Sequence, residues 1–151
     1  MSSPEPRQKI GSRGDYRHFL AIPTRWMDND VFGHVNNVVY YSYFDTVVNR
    51  YMIEAGALDI TKSSVIAFVV ETGCRYAKSI AFPDAITAGL RVARLGNSSV
   101  RYEIGLFREN EADAAAEGHF IHVYVDRESR RPVPLPAAVR HALKPLLASA
   151  S

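Results

Sequence analysis

The hydrophobic period of this chain changes once, and the change restricts the fold more than any other feature. From Val39 the apolar positions are Val39, Tyr40, Tyr43, Phe44, Val47, Val48, Tyr51 and Met52. Steps of one and three in alternation make a single stripe on a helix of about 3.6 residues per turn. Ser42, Asp45, Asn49 and Arg50 fall on other faces, and Gly56 is a stop signal. Such a helix runs about 25–30 Å at ~1.5 Å per residue, enough to cross a small sheet. After Ser64 the period becomes two. Val65, Ile66, Ala67, Phe68, Val69 and Val70 are apolar without interruption, which predicts a strand covered on both faces.

Three more strands follow. Ile86, Ala88, Leu90 and Val92 alternate with Thr87, Gly89, Arg91 and Ala93, and Val100, Tyr102, Ile104 and Leu106 with Arg101, Glu103 and Gly105. In the last strand Ile121, Val123 and Val125 face one way, while Phe120, His122 and Tyr124 form an aromatic face that suggests a partner. Residues 81–84 and 96–98 are turns, and 109–113 is a polar hairpin loop. Ahead of the helix, 19–26 has β character, with Pro23 placing it at an edge. A short helix starting near Pro136 closes the chain. Strand, long helix, four antiparallel strands and short helix make an α+β fold, one sheet of about five strands wrapped around one helix. Residues 1–15, with Pro4, Pro6, Gly11 and Gly14 among polar groups, read as a flexible N-terminal tail, and 16–151 as a single domain.

Composition excludes several classes. A chain of 151 residues is one domain's worth, and 47% hydrophobic with 23% charged is ordinary for a globular protein. A formal charge of +2, with no basic run interleaved with aromatics, argues against nucleic acid. Cys74 is alone, so no internal disulfide forms and no oxidising compartment is called for. The first nine residues lack the apolar core of a signal peptide, and no run is long enough for a membrane span; the expected location is the cytoplasm.

The chemistry concentrates in residues 26–40. Asp28, Asp30, Gly33, His34, Asn36 and Asn37 crowd into ten positions just before the helical stripe. A carboxylate at the positive end of a helix suits attack on a polarised carbonyl. The same residue types also make a plain loop, with an Asx turn at Asp30 and an Asn helix cap. Asp28 is the second carboxylate, placed to hold the loop by hydrogen bonds. His34 has three readings: general acid or base, orienting hydrogen bond, or loop packing.

The run Asp28, Asp30, Gly33, His34, Val35, Asn36, Asn37 and Tyr40 resembles the signature of hotdog-fold acyl-CoA thioesterases of the 4-hydroxybenzoyl-CoA thioesterase type. The likeness covers about residues 20–147. It includes Glu71, Thr72, Gly73, Cys74, Arg75 and Tyr76, the turn from Leu95 to Ser99, and the exit Arg131, Pro132, Val133, Pro134, Leu135 and Pro136. The resemblance implies an acyl-CoA substrate and a homodimer or homotetramer made by joining sheets, with no cofactor and no metal. It implies Asp30 as the catalytic acid group, nucleophile or general base, and a first-turn N–H, by position Asn37, that polarises the thioester carbonyl. Arg94, Asn97, Ser98 and Ser99 are the suggested CoA contacts, against a solvent-facing alternative. The rival from another class is a non-catalytic acyl-CoA binding or sensing domain on the same fold.

Three other groups weigh less. Cys74 could form an acyl-thioester, but no base adjoins it. Glu71 reads as solvated or salt-bridged, and His119 and His122 face opposite sides of a strand, so they cannot share a metal.

Overall fold

The structure is a computed structural model, and its described residues are 10–58 and 63–148. Strand β1 (His18–Pro23) leads through a loop into helix α1 (Asn37–Glu54). Then come β2 (Val65–Tyr76), β3 (Ala85–Leu95), β4 (Ser99–Arg108), β5 (Ala116–Asp126) and helix α2 (Ala137–Leu143). All five strands pair antiparallel in the order β1-β3-β4-β5-β2. This is the single sheet around one long helix that the order of elements predicted, and the hotdog fold that the resemblance implied.

Helix α1 begins where Asn36 caps it, its side chain accepting the Val38 N–H at 2.9 Å. It ends at Gly56, whose φ of +71° lets the Ala57 N–H reach back to the Met52 carbonyl at 2.9 Å. The stripe is buried as expected, with Tyr40, Tyr43, Phe44, Val47, Val48 and Met52 in the core. The sheet receives it on the row Ile86, Ala88, Leu90, Val92 of β3 and the row Val100, Tyr102, Ile104, Leu106 of β4. Phe44 lies so close to Gly118 that a Cβ there would collide with its ring, and it meets Phe120 edge-on at 6.2 Å.

That packing corrects one expectation. Phe120, His122 and Tyr124 are buried, on the same side of β5 as Gly118, and form its inner face rather than a back face open to a partner. Ile121 and Val123 are half-buried on the outside. Alternation separates two faces of a strand without saying which one meets the helix. A second expectation fails within one chain: β2 is an edge strand, with Phe68, Val69 and Val70 exposed by 40%, 50% and 59%. It also bulges between Val69 and Glu71. Of the segment read as a tail, residues 1–9 lie outside the described residues. Residues 10–15 run along the β4–β5 connection, the Gly11 N–H donating to Glu117 at 2.8 Å and the Arg13 N–H to the Ala112 carbonyl at 3.0 Å. Tyr16 follows, lying over Gly89 and Gly105 on the outer face with its hydroxyl donating to Glu117 at 2.6 Å.

The loop between β1 and α1 is anchored by Asp28, only 1% exposed. Its Oδ2 accepts the Tyr43 hydroxyl at 2.7 Å and the Arg25 N–H at 2.8 Å, and the Arg25 guanidinium reaches Oδ1 at 3.0 Å. Burial pushes this carboxyl up, but the bonds from Tyr43 and Arg25 outweigh burial and hold it below the ordinary carboxylate value. Asp28 therefore stabilises the folded state above that ordinary value, and the contribution is lost as pH falls through it toward the depressed folded one. Asp28→Asn should cost about 1–3 kcal/mol at neutral pH, since an amide cannot satisfy the same donors. Urea titrations across acid pH should show wild type losing stability below about pH 4 more steeply than the variant. Parallel curves would show that Asp28 is not the source of this pH dependence.

Candidate active site

Residues 30–33 form a tight turn: the Gly33 N–H donates to the Asp30 carbonyl at 3.1 Å, and Gly33 takes φ +82°. Asp30 Oδ1 accepts the Phe32 N–H at 2.9 Å, so the Asx turn is present. It commits one carboxylate oxygen and leaves Oδ2 without a partner among the described residues. The Asp30 N–H donates to the His34 carbonyl at 2.9 Å, the Asn36 N–H to the Asp28 carbonyl at 2.9 Å, and the Val35 N–H to the Ile80 carbonyl at 2.7 Å. These bonds clamp the turn between the buried Asp28 and the chain leading into β3.

The result is a cavity of 430 Å³ lined by Asp30, Phe32, His34, Asn37, Tyr76 and Lys78, among others. Asn37 is the first residue of α1, so its N–H has no acceptor within the helix, and none is found among the described residues. Its carbonyl accepts the Tyr76 hydroxyl at 3.1 Å, which ties the end of β2 to the helix start. The imidazole of His34 is exposed and makes no hydrogen bond among the described residues; its backbone carbonyl does the holding. A carboxylate, a free helix-end donor and an imidazole thus share one concave space.

Tyr76, Lys78 and Ser79 also line this cavity and were missed in the sequence, where they merely follow a strand. Their place comes from the β2–β5 pairing, which extends six residues beyond the apolar run. The loop also exposes the apolar side chains of Trp26, Met27, Val31 and Phe32, with Trp26 edge-on to Phe82 at 5.9 Å.

Arg94, Asn97, Ser98 and Ser99 do not join this group within one chain. They lie at the other end of β3, roughly 30 Å of strand from Ala85 at about 3.3 Å per residue. There the Asn97 carbonyl accepts the Leu135 N–H at 2.9 Å, the Ser98 carbonyl the Tyr124 N–H at 2.8 Å, and the Gly96 carbonyl the Arg140 guanidinium at 2.8 Å. The lesser candidates behave as structural groups. Burial pushes the Cys74 thiol up to about 11, which leaves it unactivated at neutral pH. Glu71 meets His119 at 2.8 Å and Arg101 at 3.7 Å on the outer face, with His122 buried on the inner one.

Known proteins agree with this geometry. The chain is 54% identical to the PA5185 protein of Pseudomonas aeruginosa strain PAO1, whose crystal structure superposes with a TM-score of 0.90 over 95% of this chain and all of that one (100%). A thioesterase from Thermus thermophilus, solved with coenzyme A and Zn, is 29% identical, with a TM-score of 0.73, 87% of this chain and 95% of that one covered. The uncharacterized protein YsmA of Bacillus subtilis is 24% identical over 118 residues, 78% of this chain and 79% of that one. Residues 24–143, from the loop that carries Asp28 and Asp30 to the end of α2, match a family as one continuous unit, and the chain belongs to the thioesterase-like superfamily.

Proposed function

We propose that this protein hydrolyses acyl-CoA thioesters, aliphatic or aromatic, in the manner of the 4-hydroxybenzoyl-CoA thioesterase type. The observation that carries the reading is the shared cavity of Asp30 and the Asn37 N–H at the start of α1. A binding or sensing domain has no need of a carboxylate there. In this reading the thioester carbonyl oxygen lies against the Asn37 N–H, where the helix end favours the negative charge of the tetrahedral intermediate. Asp30, oriented through Oδ1, takes a proton from water through Oδ2 as hydroxide adds to the carbonyl carbon. The C–S bond then breaks and the CoA thiolate leaves, protonated from Asp30 or the neighbouring His34. Bound coenzyme A in the Thermus thermophilus relative supports CoA as the carrier. Direct attack by Asp30 is the second route, and single turnover in heavy-oxygen water separates the two. A nucleophilic Asp30 forms a mixed anhydride with the acyl group as the CoA thiolate leaves, and when water opens it at the Asp30 carbonyl the first product carries an unlabelled oxygen and Asp30 keeps the label.

The working form in this reading is a homodimer or homotetramer. Strand β2 ends the sheet with unpaired backbone groups and exposed Phe68, Val69 and Val70, an edge that a second copy would extend and cover. Antiparallel pairing of two β2 edges about Val70 sets residues 65–69 of one copy opposite the Tyr76 end of the other. The 94–99 hairpin of the second copy then lies on the side of the first copy's active cavity, which is how Arg94, Asn97, Ser98 and Ser99 would reach the CoA nucleotide.

Light scattering at micromolar concentration should give the mass of a dimer or tetramer; a monomer would remove the shared edge. Arg94→Ala should raise KM for CoA thioesters more than for short pantetheine analogues, and equal effects would show that the hairpin does not read the phosphates. Asp30→Asn should lower turnover at least ~10²-fold, the lower end of a general-base contribution, with substrate still bound. Retained turnover in Asp30→Asn alongside a dead but folded Asp28→Asn would move the chemistry to Asp28.

A further inference from the structure

A helix begins with backbone donors that its own turns cannot satisfy, and at the start of α1 two of them are already spent. The Asn36 side chain accepts the Val38 N–H at 2.9 Å, and the Asn36 carbonyl accepts the Val39 N–H at 2.9 Å. The Asn37 N–H keeps no acceptor among the described residues, and its direction depends on the two peptide planes that meet at Asn37. The plane before it is pinned by the bond from Val39, and beyond that by the Asn36 N–H on the Asp28 carbonyl at 2.9 Å. The plane after it is pinned at Val38 by the cap and at its carbonyl by the Tyr76 hydroxyl, which donates at 3.1 Å. All of these bonds but the last begin and end within residues 28–39. Tyr76 closes β2 and pairs with Ala116 of β5, so its hydroxyl refers the helix start to the sheet. Its ring lies edge-on to buried Tyr40 at 4.8 Å, which aims the hydroxyl.

We propose that Tyr76 is a positioning residue: through the Asn37 carbonyl its hydroxyl fixes the orientation of the Asn37 N–H that meets the thioester oxygen. The proposal rests on the thioester-hydrolase reading for what that N–H does. A carbonyl oxygen has two lone pairs, so the Asn37 carbonyl can keep its partner four residues on in the helix and still accept from Tyr76. Burial, with Cys74 and Tyr41 alongside, pushes the Tyr76 phenol pKa up, so the hydroxyl keeps its proton at neutral pH. Tyr76 also lines the cavity that holds Asp30, and direct contact with substrate is the competing role. A phenol has one proton to give, and the Asn37 carbonyl takes it. An oxyanion donor acts by being aligned before charge develops, so loosening it lowers the rate of the chemical step and leaves ground-state binding largely intact.

The test is Tyr76→Phe, which keeps the ring against Tyr40 and removes the hydroxyl of a half-exposed residue, so the melting temperature should stay near wild type. Turnover is read by thiol release from benzoyl-CoA and decanoyl-CoA, and order at the helix start by nitrogen relaxation of the backbone amides in the free protein. The kcat should fall about tenfold, short of the ~10²-fold of a deleted oxyanion donor, with KM near wild type. The Asn37 and Val38 amides should lose order while those from Tyr43 to Met52 keep it. A raised KM with kcat kept would make Tyr76 a substrate contact and overturn the proposal. Unchanged kcat, or unchanged order at Asn37, would overturn it too. So would a fall in kcat matched by lost order from Trp26 through Met52, the mark of a general structural support. If wild type hydrolyses neither thioester, yet the Asn37 and Val38 amides alone loosen in Tyr76→Phe, the anchoring by Tyr76 stands and the hydrolase reading falls.

Discussion

The seating of α1 in the concave sheet is the contact on which the remaining geometry depends, and it turns on Phe44 against Gly118. No side chain intrudes at Gly118, so the Phe44 ring comes down onto β5 and stacks edge-on with Phe120. That close approach sets the depth of the helix, and Tyr40, Val47, Val48 and Met52 fill the core above the inner rows of β3 and β4. The first turn of this helix lies beside the end of β2, where the Tyr76 hydroxyl donates to the Asn37 carbonyl at 3.1 Å. There the Asn37 N–H stands free.

The loop carrying Asp30 depends on the same seating. Tyr43 belongs to the buried stripe, and its hydroxyl finds Asp28 because the helix is where it is. Asp28 then holds Arg25 and, through its carbonyl, the Asn36 N–H. Two carboxylates two residues apart thus divide between roles. Asp28 is buried and spent on hydrogen bonds, while Asp30 lies in a cavity with one oxygen uncommitted. Environment rather than residue type separates them.

Much of this was legible in the residues. The stripe from Val39 to Met52, the Gly56 stop, the alternation of β3, β4 and β5 and the Pro136 start are local, period-bound signals, and each element formed where its pattern lies. The crowding of Asp28, Asp30, His34 and Asn37 before a helix also pointed to the site, since helix-end chemistry needs only neighbours in sequence. What the residues left open is what long-range pairing decides. Alternation could not tell that Phe120 and Tyr124 face inward, because the choice is made by Phe44 from another element. An unbroken apolar run could not tell a central strand from an edge one, because the order β1-β3-β4-β5-β2 joins β2 to a strand some fifty residues on. The same pairing carried Tyr76 and Lys78 to Asp30, and the length of β3 carried Arg94 away from it.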